Sequence, residues 1–138
     1  MVTLLIGKKG SGKTKKLIQL ANEAVAASQG NVVVVEKGAK LTYDITSKAR
    51  LIDTDQYAIS GYDMLFGFLS GICAGNYDVT DILIDSTFKI CPDGVAGLEA
   101  FTKKLQELSE ISEANIVLLV SAAEDEIPSD LNAVCEKV

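Results

Sequence analysis

Apolar residues along this chain fall into two patterns. Short, nearly continuous apolar runs occur at Val2–Ile6, Val32–Val35, Ile82–Ile84 and Ile116–Val120. Such runs are typical of strands buried on both faces of a parallel sheet. Longer segments between them carry apolar residues at helical spacing, which indicates amphipathic helices. The alternation predicts an α/β fold, a three-layer α/β/α sandwich with a mainly parallel sheet of about five strands.

Helix boundaries are predicted from caps and breakers. The first helix should run from about Lys13 to Ala27 and stop near Gly30, because glycine commonly ends helices. The second should run from about Gly61 to Ala74, with Ser60 as N-cap and Asp63 completing a capping-box-like start. It is apolar over more than half of its circumference, so we expect it to be deeply buried or shared with a partner.

The rest of the chain is less regular. A third helix is predicted from about Asp93 to Ile111, with Asp93 as its cap. Arg50–Asp53 is predicted to be a short strand, and Ser129–Glu136 a short terminal helix. The stretch Ala39–Lys48 is ambiguous, since its apolar residues fit a short strand, a turn of helix or an ordered loop.

A glycine-rich segment joins the first strand to the first helix. It fits the P-loop pattern of Gly, four residues, Gly, Lys and Ser/Thr through Gly7, Lys8, Lys9, Gly10, Ser11, Gly12, Lys13 and Thr14. Glycines let the backbone wrap closely around an anion, and the N–H groups of the following helix start point at phosphates. We expect Lys13 to reach the β- and γ-phosphates of a nucleoside triphosphate and Thr14 to bind Mg²⁺.

A second part of a nucleotide site is expected at the strand ends. Ligands of parallel sheets bind at the carboxyl ends of the strands, where this chain has Glu36, Asp53–Asp55, Asp85–Thr87 and Ser121. Asp85 follows the apolar residues Ile82–Ile84, which is the Walker B arrangement. A carboxylate in this position can hold Mg²⁺ opposite the P-loop hydroxyl.

With both motifs present, the chain resembles the P-loop NTPase superfamily, and it looks like a minimal P-loop domain. The resemblance covers the whole chain in its order of strands and helices, but the specific motifs cover only Gly7–Thr14 and Ile82–Asp85. Val32–Val35 lies between the two motif strands, which is similar to the RecA/AAA-like branch, where a strand intervenes. In that branch a polar residue often ends the next strand and senses the γ-phosphate, and the resemblance implies this role for Ser121; the alternative is a serine that simply starts a loop.

The chain departs from the pattern of this branch at the residue that would activate water. Many ATPases of this branch carry a glutamate after the Walker B aspartate, where this chain has Ser86. In the RecA-like subgroup the glutamate ends the preceding strand, and this implies a catalytic role for Glu36 beside Lys13. The alternative is that Glu36 is a solvent-exposed loop residue. Without a base, hydrolysis would be slow and the protein would act mainly as a nucleotide-binding switch.

The composition of the chain excludes several kinds of catalysis, metal site and ligand. The 138 residues predict one domain, and the absence of histidine removes His-based catalysis and most zinc sites. A net charge of −6 disfavours duplex nucleic acid as a ligand. No apolar run approaches the roughly 18 residues of a membrane span. The three cysteines form no CxxC pair, so we expect free thiols in a reducing cytoplasm.

The leading hypothesis is therefore an ATP–Mg²⁺-binding protein with weak or partner-dependent ATPase activity. A regulatory module without efficient hydrolysis is one alternative. A small-metabolite kinase is another. Nucleoside monophosphate kinases use several arginines on transferring phosphates, and Arg50 is the only arginine here, so a kinase of that type is disfavoured. If Val2–Ile6 lies at a sheet edge, a homo-oligomer or a protein partner would be expected to cover it.

Overall fold

A computed structural model describes all 138 residues of the chain. Its helices and strands alternate along most of the sequence. The strands are β1 (Val2–Gly7), β2 (Asn31–Glu36), β3 (Arg50–Asp53), β4 (Val79–Ile84), β5 (Asn115–Ser121) and β6 (Cys135–Lys137). The helices are α1 (Lys13–Ala27), α2 (Tyr62–Gly75), α3 (Thr87–Ile90) and α4 (Val95–Ser112), with 3₁₀ turns at Thr54–Tyr57, Glu124–Glu126 and Ser129–Val134.

The six strands form one sheet in the order β3-β2-β4-β5-β1-β6, and every neighbouring pair is parallel. Alternate side chains of the strands point to opposite faces. Leu4 and Ile82 pack in one apolar cluster with residues of α2 and α4, whereas Leu5 and Leu83 pack in another with residues of α1. The prediction of an α/β fold with a parallel sheet between helices is confirmed, with six strands rather than five.

The end of the chain differs from the prediction. In place of a helix over Ser129–Glu136, a 3₁₀ turn ends at Val134 and Cys135–Lys137 pairs with β1. The backbone N–H of Val138 also donates to Ile6 O at 3.0 Å. An unpaired strand edge carries a row of free backbone donors and acceptors, and β6 satisfies those of β1. Strand β1 is therefore internal, and the expectation that it lies at an edge is wrong.

The strand that separates the two motif strands is also different. In the sheet, β5 lies between β1 and β4, whereas β2 lies on the far side of β4. Val32–Val35 intervenes in the chain and not in the sheet. The register pairs Gly7 with Ser121, so the end of β5 lies beside the start of the glycine-rich loop.

Both predicted helix caps are wrong. Helix α2 is capped by Gly61 at φ 88° and α4 by Gly94 at φ 61°, and neither start has a side-chain cap. Tertiary contacts set these ends instead, since the N–H of Gly61 donates to Ile90 O at 2.8 Å. The hydroxyl of Tyr62 donates to Gly94 O at 2.6 Å.

Helix α2 is only partly buried. Leu65, Leu69 and Cys73 lie in the core, while Met64 is 51% exposed, so the expectation of a deeply buried helix holds for one face. Although α2 is strongly apolar, no helix of the protein combines the length and apolar character that crossing a membrane requires.

Two glycines offer a matched test of the packing. A Cβ at Gly30 would lie 2.0 Å from the backbone oxygen of Asp78, whereas a Cβ at Gly67 in α2 meets nothing within 4 Å. We expect Gly30→Ala to lower the free energy of unfolding by about 1–3 kcal/mol, because backbone must move. Gly67→Ala should raise it by about 0.5–1 kcal/mol, because alanine favours helix and restricts the unfolded chain. Urea unfolding of both variants measures this, and equal effects would contradict the packing described.

Candidate functional site

The loop between β1 and α1 depends on its glycines. Gly10 and Gly12 have φ values of 85° and 95°, in a region of backbone conformation that residues other than glycine rarely adopt. A Cβ at Gly7 would lie 2.4 Å from Ser11 Oγ, so a side chain at that position would have to displace the Ser11 hydroxyl. The loop thus presents bare backbone beside the first turn of α1, as the sequence motif predicts.

Lys13 lies folded against its own loop. Its side chain is nearly buried, and Nζ donates to Lys8 O at 2.9 Å and to Ser11 Oγ at 3.4 Å. Burial lowers the pKa of Lys13, and the negative charge of Asp85 opposes this shift. A cation held among carbonyl and hydroxyl oxygens is poised to exchange them for the stronger contact with an anionic ligand.

Thr14 and Asp85 meet at the carboxyl ends of β1 and β4. The Thr14 hydroxyl donates to Asp85 Oδ1 at 3.5 Å, and Ser86 donates to Oδ2 at 3.4 Å. The N–H of Asp85 donates to Val35 O at 2.8 Å, which extends the β4–β2 ladder by one bond. These long contacts leave room between the oxygens. One hydroxyl and one carboxylate suit Mg²⁺, which takes few protein ligands and completes its shell with water and phosphate.

A cavity of about 620 Å³ lies over these residues, within the size range of small-molecule sites. The charges of its lining are one-sided, since the aspartate Asp85 faces five lysines. The lining comprises Lys9, Gly10, Gly12, Lys13, Thr14, Lys15, Lys40, Leu41, Asp85, Ser86, Thr87, Phe88, Lys89, Leu119 and Ser121. On a protein with net charge −6, such a cavity favours a polyanion.

Most residues predicted for the site line this cavity. Lys9, Gly10, Gly12, Lys13, Thr14, Asp85 and Ser121 do so directly. Gly7, Lys8 and Ser11 instead shape the loop, through the close approach at Gly7 and the contacts to Lys13. Lys40, Phe88 and Lys89 also line the cavity, although no motif in the sequence marks them.

Glu36 is fully buried, and the alternative of a solvent-exposed loop glutamate is wrong. Its two carboxylate oxygens accept the N–H groups of Lys40 and Leu41 at 3.0 and 3.1 Å. Burial raises the pKa of Glu36, while these hydrogen bonds lower it. Glu36 does not line the cavity.

Asp53, the partner of Glu36 in the β2–β3 register, holds the other end of the same loop. It accepts the N–H groups of Gly38 and Asp55 at 2.8 and 2.9 Å. Two carboxylates at neighbouring strand ends thereby fix the loop from residue 37 to residue 41, which leads from β2 to the cavity.

Neither a scan against protein-family models nor a search of the curated proteins gives a match.

Proposed function

We propose that this protein binds ATP with Mg²⁺ and hydrolyses it slowly, or efficiently only with a partner. The observation that carries the proposal is the convergence of Lys13, Thr14 and Asp85 on one lysine-rich cavity above a positive-φ glycine loop. Phosphates fit this combination because backbone N–H groups, an ammonium and a metal-binding oxygen pair all face the same space.

The sheet order supports the finer assignment to a P-loop NTPase-like fold of the RecA/AAA-like branch. One strand separates the P-loop strand from β4, the strand that Asp85 follows. An intervening strand is a feature of that branch, although here the strand is β5 and not the expected Val32–Val35. Ser121 ends that strand beside Gly7 and lines the cavity, which is where a γ-phosphate sensor would lie. The three cysteines are free thiols, and this supports a reducing, cytoplasmic location.

Each group has a role in this proposal. The loop from Gly7 to Gly12 and Lys13 hold the β- and γ-phosphates, and Thr14 with Asp85 holds Mg²⁺. The metal would neutralise phosphate charge and orient the terminal phosphoryl group. A buried, hydrogen-bonded Glu36 reaches water only when the loop from residue 37 to residue 41 opens, which accounts for slow or partner-dependent turnover.

The buried position of Glu36 and the serine after Asp85 favour a second candidate, a nucleotide-dependent regulatory module. Ser86 takes the place after Asp85 with φ 61°, and both oxygens of Glu36 are engaged by backbone. With no carboxylate free to orient water, bound nucleotide would persist and set the conformation of the loops around it. Single-turnover hydrolysis distinguishes the candidates, because the regulatory module predicts bound ATP that outlasts many hours of incubation.

Substituting Asp85 tests the metal part of the proposal. We expect Asp85→Asn to weaken ATP binding about tenfold when Mg²⁺ is present, because an amide is a poorer ligand for a hard cation than a carboxylate. In excess EDTA the affinity should be unchanged or higher, since a negative charge near the phosphates is gone. Calorimetric titration under both conditions measures the difference.

Asp78→Asn is the matched control, because Asp78 is exposed and directly precedes β4, whereas Asp85 directly follows it. It should bind ATP as the wild type does with or without Mg²⁺. Absence of ATP binding by the wild-type protein would overturn the proposed function. An Asp85→Asn defect of equal size in EDTA would remove the metal-binding role of Asp85.

A further inference from the structure

Two lysines that line the cavity, Lys40 and Lys89, take part in no ion pair. Lys40 lies on the loop after β2, and Lys89 lies on the short helix α3. The nearby Lys40 ammonium lowers the pKa of Lys89 and the charge of Lys9 adds to the effect, while the negative charge of Asp85 opposes it. The lysines that form ion pairs, namely Lys37, Lys103, Lys104 and Lys137, all lie outside the cavity.

The backbone holds both lysines in place. The N–H groups of Lys40 and the buried Leu41 are bound by Glu36. Lys89 lies between the buried residues Thr87 and Ile90, and its N–H donates to Ser86 O at 2.9 Å. A buried carboxylate and a packed helical turn therefore direct two like charges to one cavity, where an anion would offset their repulsion.

The two lysines follow different strands from the P-loop. Lys13 and Thr14 follow β1, whereas Lys40 follows β2 and Lys89 follows β4, on the other side of β5. With strands about 4.8 Å apart, β4 and β2 lie about 10 and 14 Å from β1. The cavity thus carries positive charge after β2 and β4, in addition to the lysines in and beside the P-loop that face the proposed nucleotide phosphates.

We propose that Lys40 and Lys89 form a second anion subsite, which holds the phosphate group of a small phosphorylated ligand beside the nucleotide. Two ammonium groups can each donate charge-assisted hydrogen bonds to one phosphate. The ligand would share the cavity with the terminal phosphoryl group, as a second substrate or an effector would. The inference rests on the proposed nucleotide site for its second occupant, although the lysine pair itself does not depend on it.

Inorganic phosphate is a suitable probe. The wild-type protein is saturated with Mg²⁺ and the non-hydrolysable analogue β,γ-imido-ATP, which fills the α-, β- and γ-phosphate positions, and is then titrated with phosphate in a calorimeter. We expect phosphate to bind this loaded protein. Lys40→Ala and Lys89→Ala should each weaken phosphate binding about tenfold or more, because each removes a charge-assisted contact.

Lys48→Ala is the matched control, since Lys48 is an exposed lysine that does not line the cavity and its loss changes the net charge equally. It should leave phosphate binding nearly unchanged. A loaded wild type that does not bind phosphate would overturn the inference, as would equal losses in Lys48→Ala. Weaker binding of the analogue itself in Lys40→Ala and Lys89→Ala, without phosphate binding, would assign the two lysines to the γ-phosphate and also overturn it.

A different titration separates failure of the proposed nucleotide binding from failure of the phosphate subsite. If the wild-type protein binds neither ATP nor the analogue, phosphate is titrated into Lys13→Ala, in which the P-loop lacks its lysine. Phosphate binding that still depends on Lys40 and Lys89 would then support the subsite without a nucleotide. Phosphate binding that is absent, or insensitive to both lysines, would overturn it.

Discussion

Replacing Lys13 by alanine is expected to lower the affinity for MgATP about 100-fold or more, because roughly two charge-assisted hydrogen bonds to phosphate would be lost. In the protein without nucleotide, the Lys13 ammonium contacts Lys8 O and Ser11 Oγ. Binding would replace those neutral acceptors by phosphate oxygens. Titration of the variant with ATP in the presence of Mg²⁺ measures the loss.

The same variant should fold at least as well as the wild type. Because burial lowers the pKa of Lys13, the folded state holds this charge less readily than the unfolded state does. At neutral pH the charged lysine therefore opposes folding, and its removal relieves that cost. Thermal unfolding without nucleotide checks this, with Lys48→Ala as the control for a lost positive charge. An Lys13→Ala protein that binds MgATP like the wild type would contradict both the site and the proposed function.

The local parts of the fold could be predicted from the sequence. The bounds of α1 and β3 agree with the predicted Lys13–Ala27 and Arg50–Asp53, because apolar periodicity and the motif glycines determine them over short distances. Caps were less predictable. Gly61 and Gly94 begin their helices through tertiary hydrogen bonds from or to distant residues, which local preferences for Ser or Asp do not contain.

Strand β6 could not be predicted for a related reason. Cys135–Lys137 has no apolar alternation of its own, and it is a strand because the edge of β1 offers hydrogen bonds. The order of β5 and β2 in the sheet likewise depends on which strands associate after the chain has crossed over. Neither the pairing of β6 nor the order of β5 and β2 can be read from the residues of those strands alone.

The candidate site divides in the same way. Residues of the two motifs, such as Thr14 and Asp85, were predicted because fixed spacing carries their chemistry. Lys40 and Lys89 are 49 positions apart in the sequence, and they line the same cavity only because of the sheet order and the loop that Glu36 holds. A rule that examined residues two to five positions after each predicted strand would have found both.

Glu36 connects the two halves of the site. It ends β2 beside β4, and its carboxylate fixes the loop that carries Lys40 toward the cavity. To act as a base on water, the Glu36 carboxylate would have to break its hydrogen bonds to the backbone. To anchor the loop, it must keep them. Catalysis by Glu36 and order in the loop therefore compete, and a partner that opens the loop would shift the balance toward turnover.

Substitutions of Glu36 separate the two roles. Glu36→Ala should lower the free energy of unfolding by about 3 kcal/mol, because the part-buried N–H of Lys40 and the buried N–H of Leu41 lose their acceptor and a cavity remains. Glu36→Gln keeps the shape and one acceptor, so we expect a cost of about 1 kcal/mol. If Glu36 is the base, Glu36→Gln should also lower ATP turnover at least tenfold, as general-base losses of about 10²–10⁴ imply, at unchanged MgATP affinity.

The pH dependence gives an independent measure of the anchor. With its pKa raised by burial, Glu36 takes up a proton in the folded state at a higher pH than in the unfolded state. The wild type therefore gains stability from this group as the pH falls through the folded pKa, and the gain is lost as the pH rises. Glutamine has no such proton, so the difference in unfolding free energy between wild type and Glu36→Gln should grow from pH 7 to pH 5.

Urea unfolding of both proteins at the two pH values measures that difference, with Glu110→Gln, an exposed position on α4, as the control. A difference that shrinks toward pH 5 would mean that the hydrogen bonds from Lys40 and Leu41 outweigh burial in setting the pKa. Turnover that persists in Glu36→Gln with its MgATP affinity intact would leave Glu36 as the anchor of the loop alone, and water would then have to be oriented by another group at the cavity.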